Sequence, residues 1–189
     1  MYNFKDLTMY RPCRVKQHTV YAQIVKPHRG IYNKLLDYTE NTTVERCVVL
    51  SGYQGEVWVI SKEELRTLYM NPRTGLPVSE SNLNKMRTDW VLVQSSLEQP
   101  HYYARFIPRE ITLTIDRGIY CESVNNSFCE HGLGDFIICE MKNGKAVANS
   151  FRCINGIVFA NMFECKDLDK YIHKSSIMTK VPLPMNNFI

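Results

Sequence analysis

The chain has 189 residues, 44% of them hydrophobic and 22% charged, with 23 Lys and Arg against 19 Asp and Glu for a net charge of +4. That length suits one domain or two small ones of ordinary globular composition, and no stretch approaches the ~20 apolar residues that a membrane span needs. The positive charge is mild and spread along the chain rather than gathered in a basic stripe, so it argues against a dedicated nucleic-acid binder and selects no partner by itself.

In chain order, residues 1–17 read as an N-terminal arm that packs on the first repeat. They hold Arg11-Pro12 and Arg14-Val15-Lys16 and show little periodicity. Met1-Tyr2-Asn3-Phe4-Lys5-Asp6 lacks the basic start and apolar core of a secretory signal. The seven cysteines are odd in number and include no C-x-x-C pair, so reduced thiols and a cytoplasmic location are expected.

A first β-rich repeat is assigned to residues 18–70. Thr19 to Val25 alternates as a strand, Lys26-Pro27-His28 breaks it, and Ile31 to Tyr38 fits either a strand or a short helix. Cys47 to Ser51 and Glu56 to Ile60 are rich in valine and flank Gly52-Tyr53-Gln54-Gly55, which predicts a hairpin. Ser61 with Glu64 forms a capping box that starts a helix at Lys62. Ile60 and Leu65 staple it, Leu65, Leu68 and Tyr69 make its apolar stripe, and Asn71-Pro72 ends it.

Residues 71–101 read as a linker, with a proline- and glycine-bearing start, a short polar helix over Ser79 to Thr88, and a strand over Trp90 to Gln94. The second repeat, 102–164, begins with strands Tyr102 to Ile107 and Ile111 to Ile115, separated by Pro108-Arg109. Gly132-Leu133-Gly134-Asp135 leads into the apolar run Phe136 to Cys139. Asn143-Gly144 supplies a type I′ turn, Ala146 to Cys153 returns, and Asn155 caps a helix from Gly156 whose stripe is Phe159, Met162 and Phe163. A tail, 165–189, carries one more short helix over Asp167 to His173 and then Pro182-Leu183-Pro184.

The two repeats are linked by identity. Arg29-Gly30-Ile31-Tyr32 returns as Arg117-Gly118-Ile119-Tyr120, with Tyr21-Ala22-Gln23-Ile24 and Tyr103-Ala104-Arg105-Phe106 ahead of the two copies and an apolar run, a glycine and a capped helix behind each. The expected fold class is therefore α+β and β-rich, with two degenerate strand-hairpin-helix repeats packed as one pseudo-symmetric body.

Gly52 to Trp58 with its following helix, and Gly134-Asp135-Phe136-Ile137-Ile138 with Phe159 and Phe163, resemble the PGDYG-type domains of bacteria and their phages. The first copy has Gly55-Glu56-Val57-Trp58 without the Gly-Asp, and the second has the Gly-Asp without the tryptophan. The resemblance implies a small β-rich fold and a phage or prophage origin, and implies no mechanism.

Enzyme chemistry finds little footing. Cys129-Glu130-His131 would place a thiol and an imidazole on one side of a strand, which is the minimal requirement of a cysteine-dependent enzyme, but a surface loop explains the same residues. Cys121, Cys129, His131 and Cys139 lack the short-spaced cysteine pairs of a structural zinc site, so no metal is assigned. There is no phosphate-cradling glycine loop, H-E-x-x-H or G-x-S-x-G, and no cofactor is expected.

The tetrapeptides remain. Arg29 and Arg117 are forked cations suited to a phosphate or carboxylate, and Tyr32 and Tyr120 are aromatic surfaces for a base or a partner, in a cleft between the halves. The alternative is that Arg-Gly turns the chain and Ile-Tyr packs in the core. The reading is a non-catalytic binding protein of phage type that sequesters an anionic, nucleotide-like small molecule or inhibits a host protein. Its alternatives are a nucleic-acid-binding module and the cysteine-dependent enzyme.

Overall fold

The computed structural model of the protein describes residues 5–33, 38–107, 113–115, 119–121, 135–172 and 174–184, with only the backbone of Tyr38, 113–115 and 119–121. Its elements in chain order are β1 (Arg11–Val15), β2 (Thr19–Ile24), β3 (Gly30–Asn33), β4 (Tyr38–Asn41), β5 (Val48–Ser51), β6 (Val57–Ile60), α1 (Lys62–Leu68), β7 (Tyr69–Met70), α2 (Glu80–Met86), β8 (Val91–Ser95) and β9 (Tyr102–Ile107). There follow β10 (Leu113–Ile115), β11 (Ile119–Cys121), β12 (Asp135–Lys142), β13 (Lys145–Ala146), β14 (Arg152–Ile154), α3 (Gly156–Met162) and β15 (Phe163–Glu164), with short 3-10 turns at Leu7–Met9, Lys166–Tyr171 and Lys174–Ser176. Helices combine with antiparallel sheets, which is the α+β class.

The elements divide between two compact units: a middle unit of Gln17–Gln99 with the described residues from Met178 on, and a flanking unit of Pro100–Ile177 with the described residues up to Lys16. The middle unit is a sheet in the order β6-β5-β2-β8-β7. Its strands alternate, so the sheet has two apolar faces. Val20, Ala22, Ile24, Val48, Leu50, Ile60 and Val93 form one buried cluster with Leu65 of α1 and Leu83 and Met86 of α2. On the other face Val49 and Val59 pack against Ile31, which belongs to the β3–β4 hairpin.

Local chemistry explains the helix starts. Ser61 Oγ accepts the Glu64 N–H at 3.0 Å while the Glu64 carboxylate accepts the Ser61 N–H at 2.7 Å, the reciprocal box that satisfies two orphan donors. Ser79 and Asn82 make a second such box at α2. The edge strand β6 is closed by side chains: Asn33 donates to the Val57 carbonyl at 2.9 Å, Arg46 to the Val59 carbonyl, and the Val59 N–H donates to Glu40 at 3.3 Å. These bonds occupy backbone groups that would otherwise invite another strand, and they tie β3 and β4 across the sheet edge.

The flanking unit has its sheet in the order β13-β12-β9-β1-β15, with β14 also on β12. Asn143 and Gly144 both take positive φ, 52° and 74°, at the turn that joins β12 to β13. Asn155 caps α3 by accepting the Ile157 N–H at 2.8 Å. The core is aromatic, with Phe136 stacked on Phe159 at 3.9 Å between ring centroids and Phe159 on Phe163 at 5.4 Å.

The N-terminal segment departs from expectation. It supplies β1 to the flanking unit, pairing Arg11–Cys13 with Tyr102–Ala104 of β9 and Arg14 and Val15 with β15, instead of packing as an arm on the first repeat. Pro12 lacks a backbone donor, and it falls in the half of β1 that β15 does not cover. The strand spanning Trp90 to Gln94, assigned to a linker, is an inner strand of the middle sheet, between β2 and β7.

Candidate functional site

Arg29 sits on a loop that the sequence marks as a break. Lys26-Pro27-His28-Arg29 leaves β2 and enters β3, and His28 takes a φ of 61° although it is not glycine. Thr42, 1% exposed, holds this loop closed. Its backbone accepts the His28 N–H at 2.9 Å and donates to the Arg29 carbonyl at 2.8 Å. Its hydroxyl accepts the Arg29 N–H at 2.9 Å and donates to the Lys26 carbonyl at 2.9 Å. Two side chains that matter, Lys26 and Arg29, are thus presented by a loop whose backbone groups are bonded to one threonine.

Thr42→Val keeps the shape and removes the hydroxyl, orphaning a partly buried carbonyl and an N–H. It is expected to cost about 1 to 3 kcal/mol of stability in urea unfolding, whereas Thr42→Ser retains most of it.

Beside the loop lies a cleft of about 310 Å³ lined by Gln23, Ile24, Val25, Lys26, Arg29, Ile31 and Arg87, all within the middle unit. Gln23, Ile24 and Val25 run off the end of β2, Ile31 comes from β3, and Arg87 stands at the C-terminal end of α2. Polar and apolar surface line it in nearly equal parts, and its three cations, Lys26, Arg29 and Arg87, are exposed. No carboxylate lines it, and among the described residues none of the three cations has an ion pair. Other arginines of the same unit are engaged: Arg46 with Glu40 at 3.6 Å and Glu64 at 3.4 Å, and Arg66 with Glu80.

The sequence-derived site is therefore split. Arg29 lines the cleft. Tyr32 does not: it is 47% exposed and, by the alternation of β3, faces away from the side on which Ile31 is buried. Ile31 does pack in the core, as the structural alternative for the tetrapeptide requires, but Arg29 stays outside it. Arg117 lies outside the described residues, and of Tyr120 only the backbone is described, paired with Thr114 in β11. Lys26, Gln23 and Arg87 were not singled out from sequence. Lys26 shares the break with Arg29 and was within reach of sequence reasoning, but Arg87 joins the cleft only through the packing of α2 on β2 and β8.

The middle unit holds a second unusual group apart from the cleft. Glu56 is 6% exposed beneath the Gly52–Gly55 turn, and its Oε2 accepts the Gln54 N–H at 2.7 Å. Burial pushes its carboxyl up to about 7, against the pull of the backbone N–H groups of Gln54, Glu56 and Tyr53. Gly52 makes the room: a Cβ there would lie 1.9 Å from Glu56 Oε1. Glu56 is not among the cleft residues.

The thiols do not offer a nucleophile among the described residues. Cys13, Cys47, Cys139, Cys153 and Cys165 are buried, burial pushes Cys13 and Cys165 up, and Cys139 rises to about 11. Cys129 and His131 lie outside the described residues. No group of His, Cys, Asp and Glu among the described residues is arranged to hold a metal, and no described helix is long and apolar enough to cross a membrane. Compared with known proteins, the chain matches no family model, no curated protein and no solved structure.

Proposed function

We propose that the protein is a non-catalytic binding protein that holds an anionic, nucleotide-like small molecule in the cleft beneath Arg29. The observation that carries this reading is the convergence of Lys26, Arg29 and Arg87, without ion-pair partners among the described residues, on a concave site whose lining includes Ile24, Val25 and Ile31 and no carboxylate. An isolated exposed cation contributes little, but three that meet on one ligand add their charge-assisted bonds, and Arg29 has the planar fork that fits a phosphate or carboxylate at two points. Sequestering such a ligand is the role this site fits. A host protein could reach the same cations only through an acidic segment.

The doubling belongs to the same reading. The middle sheet runs β6-β5-β2-β8-β7, and the flanking one, taken through β14, runs β14-β12-β9-β1-β15. In both, a helix is followed at once by a two-residue strand, and a separate hairpin comes after the first strand of the repeat. These orders support descent from one repeated unit, with β1 standing where β8 stands.

Pyrophosphate tests the binding reading because it is compact and needs only cations. Calorimetric titration at low salt is expected to show binding that weakens as ionic strength rises. Arg29→Ala is expected to weaken it by about 1.5 to 3 kcal/mol, with only partial recovery in Arg29→Lys, which lacks the fork. Absence of binding, or equal binding by wild type and Arg29→Ala, contradicts the reading.

A further inference from the structure

We propose that Cys13 and Cys165 are a redox-modification site, at which a small peroxide oxidises the two thiols to a disulfide that locks β1 onto the end of β15. The sheet register places them. Arg14 pairs with Glu164 and Val15 with Phe163, antiparallel, and one step further along the same ladder Cys13 stands opposite Cys165. Cys165 keeps an extended backbone there, with φ −147° and ψ 101°, before the 3-10 turn begins at Lys166. The bond from the Lys16 N–H to the Met162 carbonyl at 2.9 Å marks those two residues as a hydrogen-bonded pair of this ladder. By the alternation of antiparallel strands, Cys13 and Cys165 are then a non-hydrogen-bonded pair. Such pairs hold their Cα atoms about 4.5 Å apart, inside the range of about 4.4 to 6.8 Å that disulfides span.

The side chains agree with the register. Directly opposite residues share a face, and Cys13 and Cys165 belong to one buried cluster with Tyr102, Phe159 and Phe163. After burial, the Cys165 thiol is the largest influence that pushes the Cys13 thiol up. Cys139 and Cys153 fall on the other face, in register with Tyr103 and Ile137, whereas Tyr102, Ala104, Phe136 and Ile138 line the cluster. β1 is weakly held by its own sequence, since Cys13 is its one buried residue and β15 pairs with two of its positions.

The step balances with peroxide as the one co-reactant. Cys13 is 9% exposed against 2% for Cys165, so its sulfur is the one that peroxide meets. As the thiolate it takes one peroxide oxygen, the O–O bond breaks, and the other oxygen leaves as water with the thiol proton. The Cys165 sulfur then displaces the sulfenic oxygen, which departs as a second water with the Cys165 proton, and the S–S bond forms. Two thiols lose two electrons, one peroxide becomes two waters, and a thiol reductant reverses the change by exchange. Both sulfurs react as thiolates, so the burial that keeps them from serving as a catalytic nucleophile also makes this oxidation slow, and raising the pH speeds it.

The test is oxidation of the full chain with hydrogen peroxide at pH 8, then alkylation of the remaining thiols in urea and mass spectrometry of tryptic peptides. The expected product is a link between Cys13 and Cys165 that dithiothreitol reverses. Cys153→Ala, which removes the other cysteine of the same tryptic peptide, should still form the link, and Cys165→Ala should not. In urea unfolding the oxidised chain should show a higher midpoint before dithiothreitol than after it, because the link closes a loop that takes in most of the chain. Cys13→Ala, treated in the same way, should show no such difference. A link from Cys13 to another cysteine overturns the inference. So does finding Cys13 and Cys165 both still as thiols when the exposed Met9 has gone to sulfoxide, or a linked chain whose midpoint dithiothreitol does not lower.

Discussion

Phe159→Ala is expected to lower the folding stability by about 3 to 5 kcal/mol, the largest effect of any substitution considered for this chain. Phe159 is fully buried, lies parallel to Phe136 with their planes 9° apart, and stacks on Phe163 at 5.4 Å. Alanine removes the ring from the middle of this stack, so both neighbours lose contact area and a cavity opens between α3 and β12. Phe159→Leu fills most of the volume and should recover a good part of the loss. Urea unfolding followed by far-UV circular dichroism reads both. A loss below about 1 kcal/mol for the alanine variant would mean that the aromatic stack is not the centre of this core.

The second large effect depends on pH. Glu56 titrates at about 7 in the folded protein against 4.5 for a free carboxyl, so the fold favours the protonated form. For an acid shifted upward, the associated stability is fully present below the unfolded value and is lost as pH rises through the folded one. The window is therefore about 4.5 to 7, and wild-type stability should fall across it by up to about 3 kcal/mol. Glu56→Gln keeps an oxygen for the Gln54 N–H and carries no charge to bury. It should gain on wild type by about that amount at pH 8, with little difference at pH 4. Midpoints of chemical unfolding taken across this range check the sign as well as the size. A variant that tracks wild type at every pH would show that the carboxyl is not held neutral by its burial.

The parts of the fold that the sequence announces are those written in local chemistry. The capping box at Ser61, the cap at Asn155, the Asn143-Gly144 turn and the alternation of Tyr102 to Ile107 all lie where residue type and spacing place them. Each needs only neighbours within a few positions. β1 could not be seen this way, because Cys13 is its one buried residue and Arg11, Pro12 and Arg14 show no period; only the partner strands β9 and β15 make it a strand. Arg87 illustrates the same limit for the site. Nothing near it in sequence suggests a ligand, and it joins the cleft only because α2 packs against β2. Gln23 reads from sequence as the polar position of an alternating strand, and only the structure shows its side-chain oxygen buried without a partner.

The most direct test of the cleft is a backbone amide NMR titration of the isotope-labelled chain with a nucleoside monophosphate at low salt. The account predicts that the largest shift changes fall on the amides of residues 23–26, 29–31 and 87, and that at the same ligand concentration they are much smaller in Arg29→Ala. Saturable changes centred elsewhere, with those amides unmoved, would contradict it.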